Sequence, residues 1–174
     1  MLKLRRKLGL VPLVVLAVAA LGGAAAFAQR QLASPAAARP AIKVTLAGSV
    51  ERAGQRLALE RVEHVRPGET LDWQIVSANE GGAAARDYKA VGHIPQGTTF
   101  VAGSAQAEAG SVVTYSIDGG KTFSTQPIVT EPQPDGTVKT RPAPVSMYTE
   151  VRYEWSDALA AGGKLSASYK VRVK

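Results

Sequence analysis

The sequence predicts an all-β protein, an immunoglobulin-like antiparallel β-sandwich of seven to nine strands preceded by a signal peptide. After residue 41, apolar and polar residues alternate in short runs, and turn residues recur about every ten positions. Helical periodicity is nearly absent, since only the segment 156–163 resembles a helical turn. These observations are typical of a sandwich of short antiparallel strands.

The first 28 residues differ in composition from the rest of the chain. Four basic residues among the first seven precede an apolar run from Leu8 to Ala20, and the segment ends in Ala26-Phe27-Ala28. This layout predicts a cleaved secretory signal peptide and favours it over the alternative, an uncleaved membrane anchor. We expect an exported protein of the periplasm, the cell surface or the medium, which meets the membrane only through this segment before cleavage.

Residues 29–40 show no apolar period and end in alanine and proline, which predicts a flexible spacer. The remaining residues, 41–174, are enough for one domain with a self-sufficient core. Cysteine is absent, which excludes disulfides, thiolate metal sites and thiol nucleophiles.

The formal charge of +7 comes largely from the predicted signal segment. That segment holds 4 of the 21 Lys and Arg residues and no acidic residue, which leaves 17 basic and 14 acidic residues and a net charge of +3 after cleavage. The remaining charges are interspersed, so the composition argues against a nucleic-acid partner.

The first half of the domain contains the earliest predicted strands. The strand at 42–47 places Ile42, Val44 and Leu46 on one face and Lys43 and Thr45 on the other. The next apolar run changes phase, which predicts a bulge or bend near Glu60. A third strand then directs Trp73 toward the core.

The second half alternates most clearly in 145–155 and 165–173, where one face is apolar and the other polar or charged. In the first of these runs, Trp155 is predicted to face the core and Tyr148 to face away from it. Residues 124–144 contain five of the ten prolines, which predicts a long excursion outside the sheets. Since long loops in compact domains are usually functional or disordered, this loop is the candidate recognition element.

Glycine, proline and asparagine or aspartate predict the turns between strands, because they supply positive φ, preset φ or bond nearby backbone. The predicted turn residues are Pro67, Gly68, Asn79, Gly81, Pro95, Gly97, Asp118, Gly119 and Gly120. The aromatic residues predicted for the core are Trp73, Phe100, Phe123 and Trp155.

The stretch Ser-Ile-Asp-Gly-Gly-Lys-Thr-Phe at 116–123 matches, except for its last residue, the Asp-box pattern of sialidase-like propellers. A propeller repeats this motif once per blade, whereas the chain has one copy and is too short for a propeller. We therefore interpret the stretch as a hairpin turn that delivers Phe123 to the core.

Several of these motifs occur in a characteristic order. Pro67-Gly68-Glu69-Thr70 is followed by Trp73, by Asn79-Glu80-Gly81 and by a corner at 95–100. In this order, and with the closing segment 151–174, they resemble the conserved repeat domain of bacterial and archaeal surface proteins, also called domain of unknown function eleven. The resemblance covers most of 42–174, with the proline-rich part at 124–144 matching least.

The resemblance implies an immunoglobulin-like fold in an exported envelope or surface protein, commonly in tandem arrays, and it implies no activity and no catalytic residues. His93 stands where family members often have Asp. The sequence contains one copy of the repeat, which favours a single-domain protein over part of a long stalk.

No catalytic, cofactor or metal site is predicted. His64 and His93 lack the spacing of metal ligands, and no G-x-S-x-G motif marks a nucleophilic serine. The carboxylates of Glu60, Glu63 and Glu69 are expected to be solvated at strand edges. Asp135-Gly136 lacks the spacing of a calcium loop and is interpreted as a turn.

Two functions are consistent with these observations. The first is a non-enzymatic structural or interaction module of the cell envelope or surface, which presents loops or a sheet edge to a protein partner whose identity the sequence does not reveal. The alternative is a carbohydrate-binding or sialidase-like module with a glycan partner. Its candidate sugar platform consists of Tyr88, Tyr115, Tyr148 and Tyr153.

Overall fold

The structure, a computed structural model, describes residues 38–108 and 110–174, and within them it contains strands and no α-helix. The strands are β1 (Ile42–Arg52), β2 (Gln55–Ala58), β3 (Thr70–Asn79), β4 (Lys89–His93), β5 (Thr98–Phe100), β6 (Gln106–Ala107), β7 (Ser111–Ser116), β8 (Ile128–Pro132), β9 (Val138–Pro142), β10 (Glu150–Trp155) and β11 (Lys164–Val173). Short 3-10 turns occupy Leu59–Arg61 and Val145–Met147. The predicted signal peptide, and the spacer up to residue 37, lie outside the described residues.

The strands form two antiparallel sheets in a sandwich and one separate hairpin. The first sheet has the order β2-β1-β3-β11-β5, with β6 also paired to β11, and the second has the order β4-β10-β7. Strands β8 and β9 pair only with each other. The predicted all-β sandwich is confirmed, and the eleven strands exceed the expected seven to nine because several are only two to four residues long.

The connectivity of the sandwich is nested. β3 pairs with the last strand, β11, while β4 pairs with the penultimate strand, β10. The chain therefore passes from the first sheet to the second after β3 and again after β6, and it returns to the first sheet after β4 and after β10. Constant-type immunoglobulin domains keep their last two strands in one sheet, so the likeness to them lies in the layered architecture and not in the strand order.

Alternating residues of the last two strands supply much of the core, as predicted. The buried residues of β10 and β11 are Val151, Tyr153, Trp155, Ala167, Tyr169 and Val171. Across the first sheet, Val171 lies opposite both Leu71 of β3 and Phe100 of β5. Because the register brings apolar residues together on one face, the sheet covers a continuous hydrophobic interior.

Two tyrosines cross this interior in opposite directions. Tyr153, from the second sheet, donates its hydroxyl to the carbonyl of Ser168 in the first sheet at 2.7 Å. Tyr169, from the first sheet, donates to the carbonyl of His93 in the second at 2.6 Å. Gly92 makes room for the Tyr169 ring, since an added Cβ would lie 2.3 Å from Cε1. Each sheet is thus bonded to the backbone of the other.

The first strand alternates as predicted, but its apolar face is only partly covered. Val44 and Leu46 have 55% and 52% of their surfaces exposed. Leu46 lies opposite the buried Ile75 and therefore faces the same side of the sheet. The second sheet has three strands against six in the first. Residues on the inner face of β3 are mostly buried, whereas this part of β1 stays exposed.

Two local predictions also require correction. The segment 156–163 forms bends and a turn, and Leu159 bridges to Ala85 instead of starting a helical turn. Tyr148 was expected to face away from the core, but its ring packs 5.8 Å from that of Phe100. The 3-10 turn at Val145–Met147 breaks the strand alternation before Tyr148 and changes its direction. The bend expected near Glu60 coincides with the other 3-10 turn.

Candidate functional site

The predicted turn at Pro67-Gly68 is braced by a carboxylate. Gly68 has φ of +84°, a conformation that favours glycine. The carboxylate of Glu69 accepts hydrogen bonds from Arg52 at 2.7 and 2.9 Å and from the N–H of Arg66 at 2.8 Å. These donors, with Arg52 contributing most, lower the pKa of Glu69 to about 2. The motif therefore stabilises a turn of the fold.

Asn79 is buried and uses both ends of its amide. Its Oδ1 accepts the N–H groups of Ala41 and Gly81, each at 3.1 Å, and its Nδ2 donates to the carbonyls of Ala83 at 2.7 Å and Leu159 at 3.0 Å. Gly81 does not have positive φ. Glycine is needed there because the incoming chain lies against it, with Arg39 O only 2.3 Å from an added Cβ.

The corner at Pro95 and Gly97 is a local turn. Thr98 donates its N–H at 3.1 Å and its hydroxyl at 2.7 Å to the carbonyl of Pro95, while Gly97 has φ of +79°. Two residues later the chain buries Phe100 in the core.

Asp118 organises the Asp-box-like stretch. Its carboxylate accepts hydrogen bonds of 2.6 to 3.0 Å from the hydroxyls of Thr122 and Ser116 and from the N–H groups of Lys121 and Thr122. These bonds, with the Thr122 hydroxyl first among them, hold the pKa of Asp118 well below its usual range. The carboxylate is thus occupied in closing its own loop.

The loop reverses the chain beside β7. Gly119 and Gly120 have φ of +70° and +83°, and Tyr115 and Ser124 exchange backbone hydrogen bonds of 2.8 and 3.0 Å. This geometry is that of a turn between paired segments.

The four aromatic residues expected in the core lie in different environments. Phe100 and Trp155 are buried, and Trp73 is half-buried against the core. Phe123 was expected to be buried but lies on the outer face of the second sheet, where the guanidinium of Arg152 sits 4.0 Å from its ring centroid. Arg152 faces outward because its neighbours in β10 face the core, so Phe123 forms a cation–π contact there.

The four tyrosines proposed as a sugar platform do not form one. Tyr153 is fully buried, and Tyr88 stacks on Trp155 with ring centroids 5.8 Å apart. Tyr115 and Tyr148 stack on each other at 4.8 Å and pack against the core. The faces of these rings pack inside the domain and do not form a platform for a sugar ring.

Candidate chemical groups remain dispersed. His64 lies 3.9 Å from Glu63, and His93 lies 3.9 Å from Glu150; both imidazoles are exposed. Within the part of the chain that the structure describes, no group of three or more histidine or carboxylate side chains could hold a metal ion. Asp135, interpreted as a turn residue, accepts the N–H and hydroxyl of Thr137 at 2.9 and 2.6 Å.

An open trough of about 760 Å³ lies on the outer face of the first sheet. Its lining includes the polar residues Ser49, Asp72, Gln74, Ser168 and Lys170. Asp72 is already paired with Arg56 at 2.6 Å. The lining has no aromatic side chain, so the trough offers no stacking surface for a sugar ring.

Strands β8 and β9 form a hairpin outside both sheets, in the region expected to be a long excursion. At its base, the buried Ala143 donates its N–H to the carbonyl of the buried Pro127 at 2.8 Å. Pro132 and Pro142 stand at strand ends, where an isolated ladder tolerates a missing donor. The alternation on both sides of Pro134-Asp135-Gly136 is a signal that could have predicted this hairpin.

The two faces of the hairpin differ in charge. The uncharged face consists of Ile128, Thr130, Pro132, Val138, Thr140 and Pro142, all of them exposed. Ile128 and Val138 have 59% and 63% of their surfaces exposed. On the opposite face, Arg141 donates to Glu131 at 2.8 Å, beside Lys139. The hairpin therefore presents exposed β-branched and proline side chains on one face, whereas the other face carries the charges and the partly buried Val129.

Comparison of the chain with family models, curated proteins and solved structures gives no match. The likeness to the surface-repeat family therefore stays a prediction. Among the described residues, no helix has the length and apolar character needed to cross a membrane.

Proposed function

We propose that this protein is an exported, non-enzymatic interaction module of the cell envelope or surface, and that the β8–β9 hairpin contacts its protein partner. The observation that carries the proposal is the uncharged face of the hairpin, whose six residues are all exposed. The signal-like segment 1–28 and the resemblance to surface-repeat domains support the assignment to the envelope or surface.

The chemistry of the hairpin favours a protein partner. An isolated two-stranded sheet is marginal in water and gains stability when one face is covered. The exposed apolar side chains of Ile128 and Val138 would be covered by an uncharged protein surface, while the Glu131–Arg141 pair keeps the opposite face hydrated. The Pro127–Ala143 hydrogen bond fixes the base of the hairpin, so the uncharged face is presented on an anchored element.

The glycan alternative has less support. Its motivating aromatic side chains pack inside the domain, and the Asp-box-like stretch is a self-contained turn.

In-cell photo-crosslinking tests the proposal. A photoreactive residue placed at Thr130 of the full chain should capture a specific envelope or surface protein. Val138→Lys should reduce that capture at least tenfold, because it buries an unpaired charge in the interface. Val112→Lys is the matched control, since Val112 is 54% exposed on a sheet and lies outside the hairpin.

A second variant removes the hairpin and keeps its anchor. Replacing residues 128–142 with a short glycine-containing link preserves Pro127 and Ala143, whose backbones already meet. The domain should stay folded by circular dichroism and lose the partner. Partner capture through another surface by this variant would contradict the role assigned to the hairpin.

A further inference from the structure

The first half of β1 is an open sheet edge. β3 pairs with β1 along Ile42–Val50, but on the other side β2 reaches only Ser49–Arg52. Among the described residues, positions 42–47 therefore have a neighbouring strand on one side only. An edge of six residues is long enough to pair with a further strand.

The direction of the free backbone groups follows from the turn between β1 and β2. Ala53 and Gly54 have φ of +50° and +74°, as in a two-residue hairpin, so Arg52 and Gln55 form a hydrogen-bonded pair. Backbone groups alternate along a strand. Even-numbered residues of β1 therefore direct their N–H and C=O toward β2 or the open edge, and Ala41, an odd-numbered residue, accepts from Glu80 on the β3 side.

The same even-numbered residues carry the uncovered apolar side chains. Ile42, Val44 and Leu46 lie on the inner face of the sheet, opposite Asn79, Ser77 and Ile75 of β3. The second sheet does not reach Val44 and Leu46, which remain about half exposed. Three residues thus combine unpaired backbone with unburied hydrophobic surface.

The other sheet edges are shorter or partly occupied. β5 has three residues, and β7 already pairs with Ser124 through Tyr115. β4 carries Lys89 and His93 at its ends. Short strands and charged residues are the usual protection of an edge against pairing. On β1 the one charge within 42–47 belongs to Lys43, whose ammonium lies 3.6 Å from Glu80.

We propose that the open edge of β1 pairs with the same edge of a second copy of this chain. An antiparallel arrangement centred on Val44 places Ile42 opposite Leu46 of the second copy and Val44 opposite its own equivalent. All of these residues direct backbone groups to the edge, so about six hydrogen bonds form. Lys43 lies opposite Thr45, and no like charges meet.

The self-complementarity of this edge favours a second copy over an unrelated strand. A twofold axis through Val44 brings together two identical edges. In both, the even-numbered residues direct their unpaired N–H and C=O groups toward the other copy, and their apolar side chains lie on the same inner face. Paired edges bury less than the roughly 1,600 Å² of a standard interface. A reversible dimer is therefore expected, and it is independent of the hairpin and of its partner.

Sedimentation velocity of the full chain tests the dimer. The mass should double between low micromolar and sub-millimolar concentration. Leu46→Lys should raise the dissociation constant at least tenfold, whereas Val112→Lys should leave it unchanged. The proposal would be overturned if the chain stays monomeric over the whole concentration range. This holds even if the β1 edge pairs with a strand of another protein.

A cysteine tests the register, since the natural chain has none. In the proposed dimer the two copies of residue 44 face each other as a pair, within the Cα separation that a disulfide spans. Under mild oxidation Val44→Cys should form a covalent dimer and Val112→Cys should not. If the dimer forms but Val44→Cys does not crosslink, the edge pairing is wrong.

Discussion

At the scale of single residues, Asn79 joins three segments that are distant in the chain. Its Oδ1 accepts the N–H groups of Ala41 and Gly81, and its Nδ2 donates to the carbonyls of Ala83 and Leu159. A buried polar group left without a partner costs about 1 to 3 kcal/mol. Because the amide pairs at both ends, Asn79 can be buried and still stabilise the end of β3.

We expect Asn79→Asp to destabilise the protein more at neutral pH than in acid. The new carboxylate keeps an oxygen where Asn79 Oδ1 accepts its hydrogen bonds. Its second oxygen replaces the Nδ2 donor and therefore faces the carbonyl oxygens of Ala83 and Leu159. The folded state then favours the protonated form, so the variant's aspartate pKa is raised above its unfolded value of about 3.9. The deficit in unfolding free energy, about 3 kcal/mol at neutral pH, should shrink as pH falls from the folded toward the unfolded pKa.

Urea unfolding over this pH range measures the effect. Asn79→Ala is the matched control, because it removes the same hydrogen bonds without adding a titratable group. Its deficit relative to the natural protein should not vary with pH. A parallel, pH-independent deficit in both variants would contradict the proposed orientation of the amide.

The sequence predicted Asn79 as a turn residue but not its partners. Ala41 and Leu159 lie 38 and 80 positions away, and no local pattern indicates such contacts. Local chemistry was sufficient for the glycines at 68, 97, 119 and 120, since positive φ follows from the turn itself. Phe123 was misplaced because a motif gives its distance from the turn but not the side of the sheet it packs against.

At the scale of elements, the chain entering β1 is held against the loop that follows β3. A Cβ added to Gly81 would lie 2.3 Å from Arg39 O and 2.4 Å from Ala41 N, both backbone atoms. At the adjacent Gly82 the nearest atom is the Cβ of Ala38 at 3.2 Å. Two neighbouring glycines therefore differ sharply in the space that a methyl group would find.

We expect Gly81→Ala to lower the free energy of unfolding by about 2 kcal/mol or more, since backbone must move to admit the methyl group. Gly82→Ala should cost clearly less, because a side-chain contact can relax. Neither residue has positive φ, so backbone strain does not confuse the comparison. Chemical denaturation of the two variants measures the difference, and equal losses would contradict the close approach.

The elements that the sequence predicted best are those buried on one face along their whole length, such as β10 and β11. Their alternation reports burial directly. β1 alternates in the same way, yet it extends beyond the second sheet, and no residue of β1 indicates where another sheet ends. The β8–β9 hairpin was missed as a ladder because its prolines argued against strands, although an isolated hairpin tolerates them.

At the scale of the whole molecule, the two sheets are joined by polar as well as apolar contacts. Burial raises the pKa of Tyr169 to about 12, and it also raises the pKa of Tyr153. The ionised form of each phenol is disfavoured in the folded state because it would lose its carbonyl acceptor and remain desolvated. The stability of the sandwich therefore depends on alkaline pH through these two phenols. This dependence follows from the packing of the two sheets, which buries them.

We expect the stability contributed by these phenols to be fully present below the unfolded tyrosine pKa of about 10. It should be lost as pH rises from there toward the raised folded values, because only the unfolded chain releases the protons readily.

At neutral pH, Tyr153→Phe and Tyr169→Phe should each cost about 1 kcal/mol by leaving a carbonyl unpaired. The double variant should lose less stability than the natural protein between pH 9 and about 12, although Tyr115 and Tyr148, whose pKa values are also raised by burial, keep part of the slope. Urea unfolding across this range measures both effects, and an alkaline slope unchanged by the double variant would show that the two phenols do not bridge the sheets.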